Sequence, residues 1–332
     1  MRFTPDERQQ AVADLAAEVL DSTSADSPDR AWKALGQAGL LSIAVPQRLG
    51  GDGLGMVEVS VLLAEIGRRA VPLPALATLA FGVLPVARWG SASLQDDVLS
   101  GIASGSVLTA AVRARAVCDG NRVDGTAVGV PYAEQAHRML VPVGLAGGGS
   151  AVAVVDPGRA SLTRTPAAGA MPEYTVSFVD TPVVGTLDAG ATPDGYAVAG
   201  TCALGAGALA GALALTAAHV GSREQFGRPL AAFQAVAQQI ADVYVAARTV
   251  RLAALAACWG LANDAADSRD VDVAAYWFAA EAPGAVRTCH HLHGGLGLDV
   301  TYPLHRYSSM VRDLVRSLGG GEYRLERLCS ST

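Results

Sequence analysis

Two short stretches late in the 332-residue chain carry most of its chemical capacity. The first is Ser222-Arg223-Glu224-Gln225-Phe226-Gly227-Arg228-Pro229-Leu230, followed closely by Phe233-Gln234. An arginine held by folded structure offers a planar, permanently charged fork of donors that suits a phosphate or a carboxylate. Arg223 therefore reads as an anion contact. A structural alternative for the same stretch is a helix C-terminal cap with Gly227 in the left-handed position. The second stretch, His290-His291-Leu292-His293-Gly294-Gly295, combines imidazoles with glycines that let the backbone come close to a ligand. With Cys289 it also suggests a metal site, but adjacent helical residues diverge by about 100° and only those three or four apart share a face.

The elements that must position these residues follow from local patterns. Thr4, Pro5 and Glu7 form a helix-start signal, with Thr4 as the cap, and Val12, Leu15, Ala16, Val19 and Leu20 give the helix one apolar stripe. A short helix over about 30–40, the turn-rich Gly50-Gly51-Asp52-Gly53, and helical stretches over 56–69 and 73–89, interrupted by Pro72 and Pro74, complete a first helical part. From Ser106 the chain changes to short apolar runs over 107–112, 139–143, 151–155 and 175–179. Gly, Pro and Asp clusters separate them at spacings that suit a small barrel or sandwich. After about residue 190 the helical period returns, and Phe233, Val236, Ile240, Val243, Ala247 and Val250 mark one face of a long helix. The patterns predict a mainly helical α+β chain: an N-terminal helical domain over 1–105, a middle β-barrel or sandwich over 106–188, and a C-terminal helical bundle over 189–332.

Composition narrows the function classes. A hydrophobic content of 51% supports a large core. Net charge of −6 with scattered arginines gives no footprint for nucleic acid. Cys118, Cys202, Cys258, Cys289 and Cys329 are odd in number and lack C-x-x-C pairs, which argues for a reducing compartment and against a disulfide framework or structural zinc. The opening Met1 to Glu7 lacks a signal-peptide core, so the expected location is cytoplasmic. Gly195 to Ser222 imitates a membrane span in carrying no formal charge, but it is built mostly of Ala and Gly and has no aromatic belt. A buried helix with close neighbours is expected there, and no membrane.

In register with this helix–β–helix order, three segments resemble the acyl-CoA dehydrogenase family over nearly the whole chain. They are Val45 to Gly55 (VPQRLGGDGLG) with Glu65-Ile66-Gly67-Arg68, the Arg223 segment with Gln234, and His290 to Leu298 with Tyr302-Pro303-Leu304. The resemblance implies FAD as cofactor, an acyl-CoA thioester as substrate, and electrons leaving to an electron-transfer flavoprotein or to oxygen. It implies that Arg223, Phe226, Gln234, His291, Gly294 and Gly295 contact FAD across a subunit interface, with His291 standing where relatives usually place Gln.

The family reaction needs a carboxylate to take the α-proton. Alignment through Leu325-Glu326-Arg327-Leu328 puts Gly320 at the usual base position, and the alternative position near Ala197 lies in a segment without a carboxylate. Glu322 is the one nearby substitute; a surface acid opening the last helix explains it otherwise. Relatives cover the flavin with Thr-Glu-Pro-like and Trp-Ile-Thr-like stretches, where this chain has Ala110-Ala111-Val112-Arg113-Ala114 and Val128-Gly129-Val130-Pro131-Tyr132. Together these departures resemble the smaller, base-lacking subunits of heterotetrameric actinobacterial steroid side-chain acyl-CoA dehydrogenases. That implies no catalytic residue in this chain, a larger dehydrogenase subunit as partner, and a bulky steroid acyl-CoA as substrate. Two other readings stand beside it: a self-sufficient homo-oligomer using Glu322, and a scaffold that has lost FAD.

Overall fold

The computed structural model describes residues 3–23, 27–188, 190–263 and 268–330. Helix α1 (Glu7–Asp21) is capped by Asp6, not by the expected Thr4: the Asp6 carboxylate accepts the Gln9 backbone N–H at 2.8 Å, and the Gln9 side chain accepts the Asp6 N–H at 3.1 Å. A carboxylate at the cap also complements the helix dipole. Val12, Ala16 and Leu20 are buried on its inner face. Helices α2 (Pro28–Gln37) and α3 (Met56–Arg68) follow. Beyond Pro72 and Pro74, a π-helical segment, Leu76–Val83, is wholly buried and runs into α4 (Leu84–Trp89), with α5 (Ala92–Leu99) after it.

Seven strands come next: β1 (Val107–Ala110), β2 (Ala114–Asp119), β3 (Arg122–Pro131), β4 (Ala136–Leu145), β5 (Ser150–Val155), β6 (Ser161–Thr165) and β7 (Glu173–Thr186). The order β4-β2-β3-β7-β5 closes because β5 also pairs with β4, and β1 and β6 flank β4 and β7. Closure leaves no free edge in the ring. Val123, Val141, Val176 and Phe178 fill its interior.

The remainder is helical: α6 (Asp194–Ser222), the small hairpin β8 (Glu224–Gln225) and β9 (Arg228–Pro229), α7 (Gln234–Ala262), α8 (Ser268–His293), α9 (Leu304–Leu318) and α10 (Gly320–Ser330). Helix α6 is the central strut, packed on α3, α7, α8 and α9. Its apolar window is 78% buried, as the Ala/Gly composition predicts for a core helix. A Cβ on Gly207 would stand 2.0 Å from the Ala64 carbonyl oxygen and one on Gly67 2.1 Å from that of Leu204, so α3 and α6 touch backbone to backbone. Helix α7 is a second long apolar helix, but only 39% of its window is buried. The expected stripe is buried at Val243, Ala247 and Val250, whereas Phe233, Val236 and Ile240 are only partly covered, because the first turns of α7 stand off the bundle.

Candidate functional site

Helix α6 ends where Arg223 turns extended, at φ −75° and ψ 119°. The chain then makes a tight hairpin, pairing Glu224 with Pro229 and Gln225 with Arg228. Phe226 and Gly227 form its tip with φ of +52° and +77°. Positive φ at both central residues is the turn whose twist matches a two-residue hairpin. Gly227 therefore serves this hairpin, not a helix cap, which corrects the structural alternative above. Phe226 is 93% exposed in a backbone region that bulky residues avoid. Strain held at an exposed aromatic points to a role outside the chain's own folding. Its ring meets Phe233 edge-on at 6.2 Å, and the Arg228 guanidinium covers Phe233 at 4.1 Å.

Beside the hairpin lies an open groove of about 690 Å³ lined by His219, Arg223, Leu230, His291, Gly294 and Gly295. The structure thus gathers four of the six expected cofactor contacts on one surface. The other two, Phe226 and Gln234, are outside the groove lining, on the exposed hairpin tip and in the first turn of α7. Arg223 is exposed, and its guanidinium has no hydrogen bond or ion pair among the described residues. Gly294 has φ +57°, and a Cβ on it or on Gly295 would meet nothing within 4 Å, so this backbone lies bare to the groove. Underneath, His219 and His293 stack at 4.4 Å. The His293 ring nitrogens are engaged by the Cys289 carbonyl at 2.8 Å and the Tyr302 hydroxyl at 3.0 Å. Burial lowers the pKa of both imidazoles, helped at His219 by Arg223 and opposed at His293 by the Cys289 carbonyl. A free cationic fork, bare glycine backbone and a neutral imidazole floor suit the pyrophosphate of a dinucleotide.

The histidine cluster does not converge. His290 turns inward to the Gly297 carbonyl at 2.9 Å and the Ser308 hydroxyl at 3.0 Å, while His291 is exposed. Among the described residues no three His, Cys, Asp or Glu side chains are grouped as metal ligands. Four cysteines are buried and free, and Cys329 is exposed.

A second cavity, of about 190 Å³, lies between the barrel, the π-helical segment, α6 and α9. The altered stretches noted in the sequence form its wall, through Val112, Arg113, Val128, Gly129, Pro131 and Tyr132. Besides Arg113, four charged residues that the sequence reading did not single out line it: Glu173, Asp313, Arg316 and Arg324. Asp313 accepts the N–H groups of Ala168 at 2.9 Å and Gly169 at 2.6 Å. Arg316 donates to Glu173 at 2.7 Å and to Asp313 at 3.4 Å. Arg113 donates to the Ser317 carbonyl at 2.6 Å. The one sequence signal was the three-residue spacing of Asp313 and Arg316 on a helix; Glu173 had none. The volume falls below the roughly 300–1,000 Å³ of a typical cofactor pocket, and Arg316 bridges between Glu173 and Asp313 on its wall.

Gly320 follows Gly319 in a left-handed link between α9 and α10, with φ of +85° and +93°. Glu322 is exposed in the first turn of α10 and is not part of the cleft wall. Ala197 does line the cleft. One turn before it, Asp194 corrects the expectation that this region holds no carboxylate; burial raises its pKa against the pull of Arg327 and Arg324, and it lines a separate, smaller cavity with Phe81 and Val112.

Comparison with known proteins agrees with this architecture. The acyl-CoA dehydrogenase N-terminal domain matches residues 6–106 and the acyl-CoA dehydrogenase C-terminal domain matches residues 197–326. Acyl-CoA dehydrogenase FadE28 of Mycobacterium tuberculosis is 45% identical over 351 residues, covering 100% of both chains. Among solved structures, a G363A variant of the Tcur3481-Tcur3483 steroid ACAD superposes with TM-score 0.91 at 32% identity, covering 98% of this chain and 97% of that one. A chain of the ChsE4-ChsE5 complex from Mycobacterium tuberculosis gives TM-score 0.91 at 29% identity, covering 99% and 98%. With both terminal domains matched and a relative this similar along its whole length, the chain belongs to the acyl-CoA dehydrogenase family of oxidoreductases acting on CH–CH groups.

Proposed function

We propose that this chain is the base-lacking subunit of a heteromeric, cytoplasmic, FAD-dependent acyl-CoA dehydrogenase, completing a cofactor site that a larger partner subunit mainly forms. The observation that carries this reading is the contrast between an open Arg223 groove and an interior cleft already bridged by Arg316. Arg223, His291, Gly294 and Gly295 would hold the pyrophosphate end of FAD, with Phe226 and Gln234 reaching toward the partner. Bound FAD supplies the acceptor for the hydride that leaves the β-carbon. The α-proton goes to a carboxylate of the partner, since Gly320 has no side chain and the exposed Glu322 is not part of the cleft wall. The half-covered face of α7 gives the partner an apolar surface to bury. The relatives described as a steroid ACAD and as a ChsE4-ChsE5 complex support a bulky, steroid side-chain acyl-CoA substrate and a two-chain assembly.

The test is flavin absorbance of the chain purified alone and after co-expression with a candidate larger dehydrogenase subunit, followed by addition of a steroid-CoA. Colour and substrate bleaching only in the co-purified complex are expected. A yellow, bleachable single chain would overturn the proposal in favour of a self-sufficient enzyme, and a colourless complex would reduce the chain to a scaffold.

A further inference from the structure

The interior cleft has unused hydrogen-bonding capacity. Two of its lining residues, Tyr132 and Glu173, are only 4% and 7% exposed. The Tyr132 hydroxyl and Glu173 Oε2 are both buried without a hydrogen-bond partner. They are neighbours at the end of the barrel, where Pro131 on β3 pairs with Glu173 on β7 and the Tyr132 N–H donates to the Pro172 carbonyl at 3.0 Å. Tyr132 is held there at φ +53°. A buried polar atom left unsatisfied is costly, and two on residues lining one cavity mark the place where a ligand would supply the missing partners.

The chemistry of the two atoms selects the ligand. Glu173 Oε1 is engaged by Arg316, so Oε2 is a carboxylate acceptor that needs a donor. An acceptor-only group such as a ketone or thioester carbonyl would face it lone pair to lone pair. Arg113, Arg316 and Arg324 around the cavity disfavour a cationic donor, and Oε2 disfavours an anion. A neutral hydroxyl can donate to Oε2 and exchange a second hydrogen bond with Tyr132. Much of the rest of the wall is apolar, with Leu76, Val112, Val128, Leu314 and Leu318, and a dry apolar cavity of about 150 Å³ is enough for benzene. We propose that this cleft is a second binding site, separate from the Arg223 groove, for a small, neutral, mainly apolar molecule bearing one hydroxyl group.

The full-length chain, in whatever assembly it purifies, is titrated with cyclohexanol and with cyclohexanone, which match in shape but differ in having or lacking a donor. Saturable cyclohexanol binding by calorimetry, about tenfold tighter than cyclohexanone, is expected from one hydrogen bond to a charged acceptor. Tyr132→Phe should weaken cyclohexanol several-fold. Glu173→Gln places an N–H₂ where Oε2 stood and should move the preference toward cyclohexanone; circular dichroism checks that each variant is folded. Equal affinity for the two probes, no saturable binding of either, or an unchanged preference in Glu173→Gln would overturn the assignment.

Discussion

The two concavities of this molecule are built on opposite principles. The groove beside Arg223 is open, polar and under-committed: its cation has no partner among the described residues, its glycines leave backbone bare, and its tip holds Phe226 out into solvent. The interior cleft is smaller and braced by its charges, with Asp313 and one oxygen of Glu173 both engaged by Arg316. A protein that ran its chemistry in its own cleft would keep that space for substrate and cofactor. Here much of the space is braced by ion pairs, and the unpaired cation stands at the surface. The difference teaches that one fold can hold an open, under-committed polar edge beside a braced interior.

The largest effect that would test this division is expected at Asp313. Asp313→Ala strands the Ala168 and Gly169 N–H groups and leaves Arg316 with Glu173 alone, which should cost about 2–4 kcal/mol of stability in denaturant unfolding. A change under about 0.5 kcal/mol would mean the cleft is not braced by this residue. Arg223→Ala should leave stability near that of the parent but cut FAD retention of the co-purified complex by about 10–100-fold, read as flavin per protein, since a hydrogen bond to a charged group contributes about 1.5–3 kcal/mol. Unchanged retention would remove the groove from the cofactor site.

The stacked His219–His293 pair supplies a pH test. Both imidazoles have folded pKa values below the usual 6.5, so the unfolded chain binds more protons once the pH falls below that value. Stability should be undiminished above about pH 6.5 and decline as pH drops through the folded pKa values; His293→Phe should flatten that decline in denaturant midpoints measured at pH 7 and pH 5. The smallest effect on folding is expected at Phe226. Relieving its positive φ with Phe226→Gly should leave the single chain equally stable or up to about 1 kcal/mol more stable, while the complex retains less flavin. A loss of both would make Phe226 an ordinary structural residue.

The order of helices, strands and helices was legible because each part has its own period, and α6 was recognisable as a core helix from its Ala and Gly content. Strands β2, β3 and β6 were not, since glycine, arginine and aspartate interrupt their alternation, even though β2 and β3 form a tight hairpin closed at Asp119 and Arg122. Asp6 was overlooked as a cap because Thr4-Pro5 offered an equally regular signal. At the site, Arg223, His291, Gly294 and Gly295 were nameable through a resemblance and come together in space. The bracing of the cleft was invisible, because Glu173 and Arg316 are 143 residues apart and meet only when the barrel docks on α9.

The contact between α3 and α6 sets a limit on how this chain can vary. Residues such as Gly67 and Gly207 have no rotamers to freeze, so bringing the two helices together sacrifices little side-chain entropy. The same economy leaves no slack: one added methyl at either position runs into a carbonyl oxygen that belongs to a helix ladder and cannot step aside. Gly294 and Gly295 in the groove have open space around them, whereas the central strut tolerates almost no growth. Sequence drift in this protein is therefore channelled toward its surface, while the axis of the fold stays fixed.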